Sequence, residues 1–414
     1  MELLPTDKQI MDYAELIAMI GVNVQPGQTV VVMAPIGAAR LARQIAVAAY
    51  EAGAHNVHVE YNDEELSLVK YKHAPEESLS EYPMWRANAW EEYAENGAAF
   101  VTIYAPNPDL LTGDIDPRRV GETIKAASQA LQKYRSKLMN HANSWTLISY
   151  ATPEWAAKVY PDLPVQEAEQ QLWQRIIEAT RLDAGNPVAA WKKHNRRLKD
   201  RVDLLNAKRY KQLRYQGEGT DLTIDLPEGH IWLGGAKANA KGDDFNPNMP
   251  TEEVFTMPHR DKVNGTVRST KPLNYNGQLI NNFALTFKDG KVVDFQAEQG
   301  YEILAQLIAA DEGASRIGEV ALVPDDSPIS NSGVVFFNTL FDENASCHLA
   351  LGQAYPVNLE GGTTMGPEEL DAAGANRSLI HVDFMIGSAS LSIDGILPDG
   401  SSEPIFRNGN WAEA

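Results

Sequence analysis

Four short segments in the C-terminal half carry side chains able to hold a divalent metal ion. Glu252 and Glu253 open the strand-like run Pro250-Thr-Glu-Glu-Val-Phe-Thr-Met-Pro258. Glu319 leads Glu-Val-Ala-Leu-Val323, an apolar run with one charge at its leading edge. Glu343 and His348 lie in Phe337-Asn-Thr-Leu-Phe-Asp-Glu-Asn-Ala-Ser-Cys-His-Leu-Ala-Leu-Gly352. His381 and Asp383 stand two apart in Ser378-Leu-Ile-His-Val-Asp-Phe-Met-Ile-Gly387, a spacing that turns both to one face of a strand. Imidazole with carboxylate suits zinc, cobalt, manganese and similar ions. Glu253, Glu319, Glu343 and Asp383 together carry −4, which two divalent cations would cancel. Buried without metal, those charges would repel and some would protonate. With metal they could bridge two ions and hold a hydroxide between them. Each element alone says little. A glutamate at a strand end is usually solvated, and a His-x-Asp pair is more often an ordinary hydrogen-bonded pair.

Other chemistries find no support. The turn after Thr29–Met33 holds a single glycine, Gly37, and neither phosphate-binding glycine pattern, so it reads as a tight turn. There is no HExxH pair and no Gly-x-Ser-x-Gly elbow. Cys347 lies among Ala345, Leu349 and Leu351, company in which a lone cysteine is buried and inert. His55, His58, His73, His141 and His194 have no acidic partner at ligand spacing and read as structural or surface residues. The basic tract Trp191–Arg201 has Leu198 and Val202 on one side, as a solvated helix face beside a domain boundary would.

The elements that must position these residues fall into two kinds. Through the first half, helix and strand alternate. Helical spacing covers Lys8 to Ile20 and Ala38 to Tyr50, with strands at Thr29–Met33 and His55–Glu60 and further ones at Ala98–Tyr104 and Trp145–Tyr150. Long helices are expected over Val165–Arg181 and Pro187–Lys208. That order implies an α/β N-terminal domain with a parallel sheet flanked by helices, residues 1–205. After Arg209, runs such as Leu222–Leu226 and Phe283–Phe287 alternate apolar and polar residues, and Lys288-Asp-Gly-Lys291 reads as a hairpin turn. Asp399-Gly400 and Asn408-Gly409 mark further turns, and a helix is expected over Gly300–Ala310. Residues 206–414 therefore read as a strand-rich α+β catalytic domain that holds the metal. A length of 414 residues fits two domains.

Composition bounds the partners. With 36 Lys and Arg against 56 Asp and Glu, the net charge is −20, a surface that repels phosphate backbones, so no nucleic-acid partner is expected. One cysteine excludes an intrachain disulfide and fits a reducing compartment. No apolar run reaches the roughly 20 residues of a membrane span, and the first residues lack a signal-peptide pattern. A cytoplasmic location without membrane attachment is expected.

The four segments, in order, closely resemble those of the thermophilic metalloaminopeptidase family, the aminopeptidase T and aminopeptidase S type. The resemblance runs along essentially the whole chain and is sharpest between about 250 and 400. It implies a dinuclear site formed by Glu253, Glu319, Glu343, His348, His381 and Asp383, and a catalytic tyrosine that falls on Tyr355 in Gly352-Gln-Ala-Tyr-Pro. It implies two divalent ions (zinc, cobalt, manganese or magnesium), short peptide substrates and a homodimer. The expected reaction is release of N-terminal amino acids by a metal-activated bridging water, with Glu319 or Glu253 moving the proton and Tyr355 meeting the oxyanion. Arg260 and His259 are candidates to orient carboxylates around the ligands, and equally read as ordinary loop residues. Two other classes share these residues. One is an amidohydrolase or deacylase acting on a non-peptide amide, which needs no free amine. The other is a non-catalytic binding protein that uses metal for structure.

Overall fold

The structure, a computed structural model, describes residues 3–111, 115–275 and 278–412. It divides into two compact units, 1–195 with 236–250 and 196–235 with 251–414. The boundary read at 205/206 lies inside the helix Pro187–Lys208, and the segment 236–250 returns to the first unit.

The first unit is built on four parallel strands, β1 (Thr29–Pro35), β2 (Asn56–Asn62), β3 (Ala99–Ile103) and β4 (Trp145–Ile148), in the order β2-β1-β3-β4. Val30, Val31 and Val32 are all fully buried, as in a strand covered on both faces. The helix Ala39–Glu51 buries Leu41, Ala42, Ile45 and Ala49, a single stripe at helical spacing. The expected helix over Lys8–Ile20 begins at Asp7 under a Thr6–Gln9 capping box and ends in a π turn, Ile17–Gly21. The basic tract is a solvated face: Arg196 and Lys199 pair with Asp200 and Asp203 one turn on, while Leu198 is buried.

The second unit contains two antiparallel sheets. The larger takes in the hairpin Gln278–Lys288/Lys291–Gln299, whose two-residue turn has Asp289 at φ 49° and Gly290 at φ 80°, both left-handed as such a turn requires. The smaller carries the candidate ligands. Its strands are β5 (Leu233–Gly234), β6 (Val254–Thr256), β7 (Ile317–Leu322), β8 (His348–Gly352) and β9 (His381–Met385), each antiparallel to the next in chain order.

Register decides what faces what, because directly opposed residues share a face. One row across the sheet is Glu319–Ala350–Asp383, the next Ala321–His348–Met385, and Gly352 stands opposite His381. The intervening positions Val320, Leu322, Leu349, Leu351 and Phe384 point the other way into the core of the unit. One exception makes the pattern work. Ile317 pairs with Leu351 while Glu319 pairs with Ala350, so Gly318 is an extra residue, a bulge. Without it Glu319 would share the core face of Ile317.

Phe384, packed on Phe283 with ring centroids 5.5 Å apart, anchors that core. Phe384→Ala should lower the stability of the second unit by about 3–5 kcal/mol in denaturant unfolding, the usual cost of a buried phenylalanine truncated to alanine.

Candidate metal centre

Two groups of three metal-capable residues lie together among the described residues: Glu253, Glu319 and His348, and Glu319, His381 and Asp383. Glu319 belongs to both. Its Oε1 is 3.7 Å from His348 Nε2 and its Oε2 is 3.8 Å from His381 Nε2. Glu253 Oε2 lies 3.3 Å from the same His348 nitrogen, and Asp383 Oδ1 lies 3.5 Å from that of His381. One carboxylate thus spans two imidazoles, each with a further carboxylate of its own.

Both rings are oriented from behind. His348 Nδ1 donates to the Ser346 carbonyl at 3.1 Å, and His381 Nδ1 donates to the Gln353 carbonyl at 2.7 Å. A carbonyl only accepts, so the Nδ1 atoms carry hydrogens and the Nε2 atoms are the ones turned to the carboxylates. Asp383 Oδ1 is buried with no hydrogen-bond partner, although it faces this cluster. Buried oxygens are normally satisfied, and a cation would satisfy this one.

The electrostatics agree. Burial pushes the Glu343 carboxyl well above its ordinary range, and the charges of Glu253 and Asp383 push it further. Burial also raises Glu319, against the pull of His348. Burial alone would lower both histidines, yet their carboxylate neighbours win: His348 is raised well above its usual value and His381 to about 9. Burial alone would raise Asp383, yet the charges of His381 and His348 beside it lower it. The cluster therefore draws positive charge. Protons on imidazole are one answer and divalent cations are the other. Two nitrogen donors with a set of carboxylates suit zinc, cobalt or manganese, and the residues present fit a metal.

The individual placements refine the reading from sequence. Glu319 is the third residue of β7 and not its leading edge, because the bulge at Gly318 carries the strand two residues further back. Glu253 immediately precedes β6. Glu343 sits on a 3₁₀ turn, Glu343–Ala345, close enough for its charge to bear on Glu253 and Asp383, but it belongs to neither three-residue group. Tyr355 lies with its ring 4.6 Å from that of His381. Burial and the carboxylates of Glu319 and Asp383 hold its phenol far above the usual range, so it keeps its proton. Cys347 is buried and its thiol pushed up to about 12, which leaves it inert.

Arg260 and His259 are not turned to the ligands. Arg260 pairs with Asp261 and Asp371, and His259 Nδ1 accepts the Asp261 amide, because the Pro258–Asp261 loop has its own ionic partners. The residues that do support the cluster were not read from the sequence. Asn344, fully buried, accepts the Glu252 amide at 2.7 Å and donates to the Leu340 carbonyl, so it ties the Glu343 turn to the segment bearing Glu253. Gln353 and Ser346 act through main-chain carbonyls, which leave no mark in a sequence. Gly318 did leave one, since a glycine inside a strand-like run signals a bulge.

A family profile described as thermophilic metalloprotease (M29) matches residues 6–411. Aminopeptidase 2 of Geobacillus stearothermophilus is 60% identical over 406 residues, covering 98% of this chain and 98% of that one. Aminopeptidase AmpS of Bacillus subtilis (strain 168) is 52% identical over 405 residues, again 98% of each. The solved structure of wild-type AmpT from Thermus thermophilus matches with a TM-score of 0.92 at 43% identity, over 98% of this chain and 99% of that one. With metal-capable groups on the smaller sheet and a match from residue 6 to residue 411, the chain belongs to the thermophilic metalloprotease (M29) family.

Proposed function

We propose that this metalloprotease is an aminopeptidase that removes N-terminal residues from short peptides at a two-ion site. The observation that carries the reading is Glu319, whose two oxygens each face a different histidine. Glu253 and His348 would hold one ion and His381 and Asp383 the other, with Glu319 within reach of both. Glu343 adds the fourth negative charge beside them. Bound there, a pair of divalent ions (zinc, cobalt, manganese or magnesium) supplies Lewis acidity and makes water nucleophilic near neutral pH.

The chain's own groups do the rest. Tyr355 keeps its proton and donates a hydrogen bond to the developing oxyanion of the scissile carbonyl. Its contact with His381 fixes the ring. Glu253, less enclosed than Glu319 at 14% against 7% side-chain exposure, takes the proton from the attacking water and passes it toward the leaving amine. The substrate's free amine could ligate an ion or meet a carboxylate, which would select N-termini. The family resemblance brings a homodimer and a cytoplasmic location into the same proposal, and a light-scattering mass of two chains checks the first.

Three outcomes are expected. Adding zinc or cobalt to chelated protein raises its unfolding free energy by about 2.7 kcal/mol per site at a hundredfold excess over Kd, and Glu319→Gln abolishes both that gain and hydrolysis. Tyr355→Phe lowers kcat by about 10²–10³-fold, the cost of one oxyanion donor, with metal content unchanged by atomic absorption. Leucine-containing dipeptides with a free amine are cleaved and their N-acetylated forms are not. Equal turnover of the two forms would replace the aminopeptidase with an enzyme acting on amides in general.

A further inference from the structure

The two halves of the cluster are held by different devices. Behind His348 stands the Ser346 carbonyl, two residues back on its own chain segment. Behind His381 stands Gln353, 28 residues away, and this residue is itself seated on every side. Its amide donates to the Ile380 carbonyl at 2.7 Å, its side-chain oxygen accepts the Ser378 amide at 2.9 Å, and its side-chain nitrogen donates to the Ala354 carbonyl at 2.6 Å. The Asp311 carboxylate accepts from Ser378 Oγ at 2.9 Å and from the Leu379 amide at 2.6 Å, fixing the same approach to β9. The peptide that carries the Gln353 carbonyl passes directly over Gly318. A Cβ there would fall 2.3 Å from the Gly352 oxygen and 2.5 Å from the Gln353 oxygen, both main-chain atoms with no easy escape.

We propose that Gln353, seated by its own side chain and by the bare backbone of Gly318, is the positioning residue that sets the metal affinity of the His381–Asp383 half independently of the Glu253–His348 half. The physical reason is direct. The Gln353 carbonyl fixes the tautomer and direction of His381, and nothing in that network reaches the acceptor of His348. Ligand-orienting groups of this kind typically govern metal affinity by about 10–100-fold. The proposal rests on the two-ion reading above and deepens it.

The test is titration of cobalt(II) into the metal-free full-length chain, followed by its visible absorption and by calorimetric stoichiometry. Wild type should take two ions in two resolvable steps, and Glu253→Gln should remove the step that belongs to the His348 half. Gln353→Leu should weaken the other step by about 10–100-fold and alter its absorption bands, with the His348 step unchanged. Gly318→Ala, which also disturbs the bulge that turns Glu319 to the site, should weaken both steps. If that variant fails to fold, as judged by circular dichroism of the metal-free protein, Gln353→Leu decides alone. Equal weakening of both steps by Gln353→Leu would reduce Gln353 to a general structural role and overturn the inference, as would no change in either. A wild type that binds fewer than two ions would instead sink the two-ion reading, and the inference with it.

Discussion

Glu319 is a carboxylate at 5% exposure in the middle of a sheet, and an unpaired charge so placed would be strongly unfavourable. Everything around it answers that constraint. An imidazole faces each of its oxygens, one from each of the two strands that follow β7 in the sheet. Each imidazole is turned by a carbonyl so that its free nitrogen points inward. Further carboxylates then make the pocket too negative for the imidazoles alone, so cations belong there. The charge of Glu319 makes the cluster a binding site; as a neutral side chain it would leave two histidines with no common partner.

The same strands must also build the core of the unit. An antiparallel sheet allows this because its faces alternate residue by residue. Leu349 and Leu351 point into the core while His348 and Ala350 point to the site, and Val382 and Phe384 alternate with His381 and Asp383 in the same way. Small side chains complete the site face. Ala350 lies between Glu319 and Asp383 in their row, and Ala321 and Gly352 stand opposite His348 and His381. A larger residue at any of these positions would occupy the space toward which the ligands converge.

Much of this was legible in the sequence because the signals were of the right kind. Thr29–Met33 and Ala38–Tyr50 announce a strand and a helix through β-branched and alanine-rich spacing, and the parallel sheet follows from their alternation. His381 and Asp383 stand out because polar residues interrupt an apolar run with period two. The return of 236–250 to the first unit could not be read, since it depends on tertiary pairing of short segments and not on local pattern. Nor could the second layer around the ligands. Asn344 looks like any polar loop residue until its carbonyl is seen on the Glu252 amide, and the sequence left Arg260 open between an orienting role and an ordinary loop residue because charge at a short distance in sequence does not give direction in space.

The origin of each proposed ligand also predicts how firmly it is held. Glu319, His348, His381 and Asp383 sit on three adjacent strands, so ladder hydrogen bonds and the sheet spacing fix their separations. Glu253 stands just outside β6, and Glu343 on a short turn reached through a loop with Phe337 in the left-handed region. These two depend on side-chain tethers: the Asn344 bond to the Glu252 amide, and the Asp342 carboxylate accepting the Phe336 amide at 2.7 Å and the Asn338 amide at 3.0 Å. A site with one edge set by a sheet and the other by tethered turns can hold Glu319 rigidly while Glu253 and Glu343 adjust. The proposed hydrolysis would ask for both properties, since Glu319 would have to stay fixed while charge redistributes among its neighbours as the peptide bond breaks.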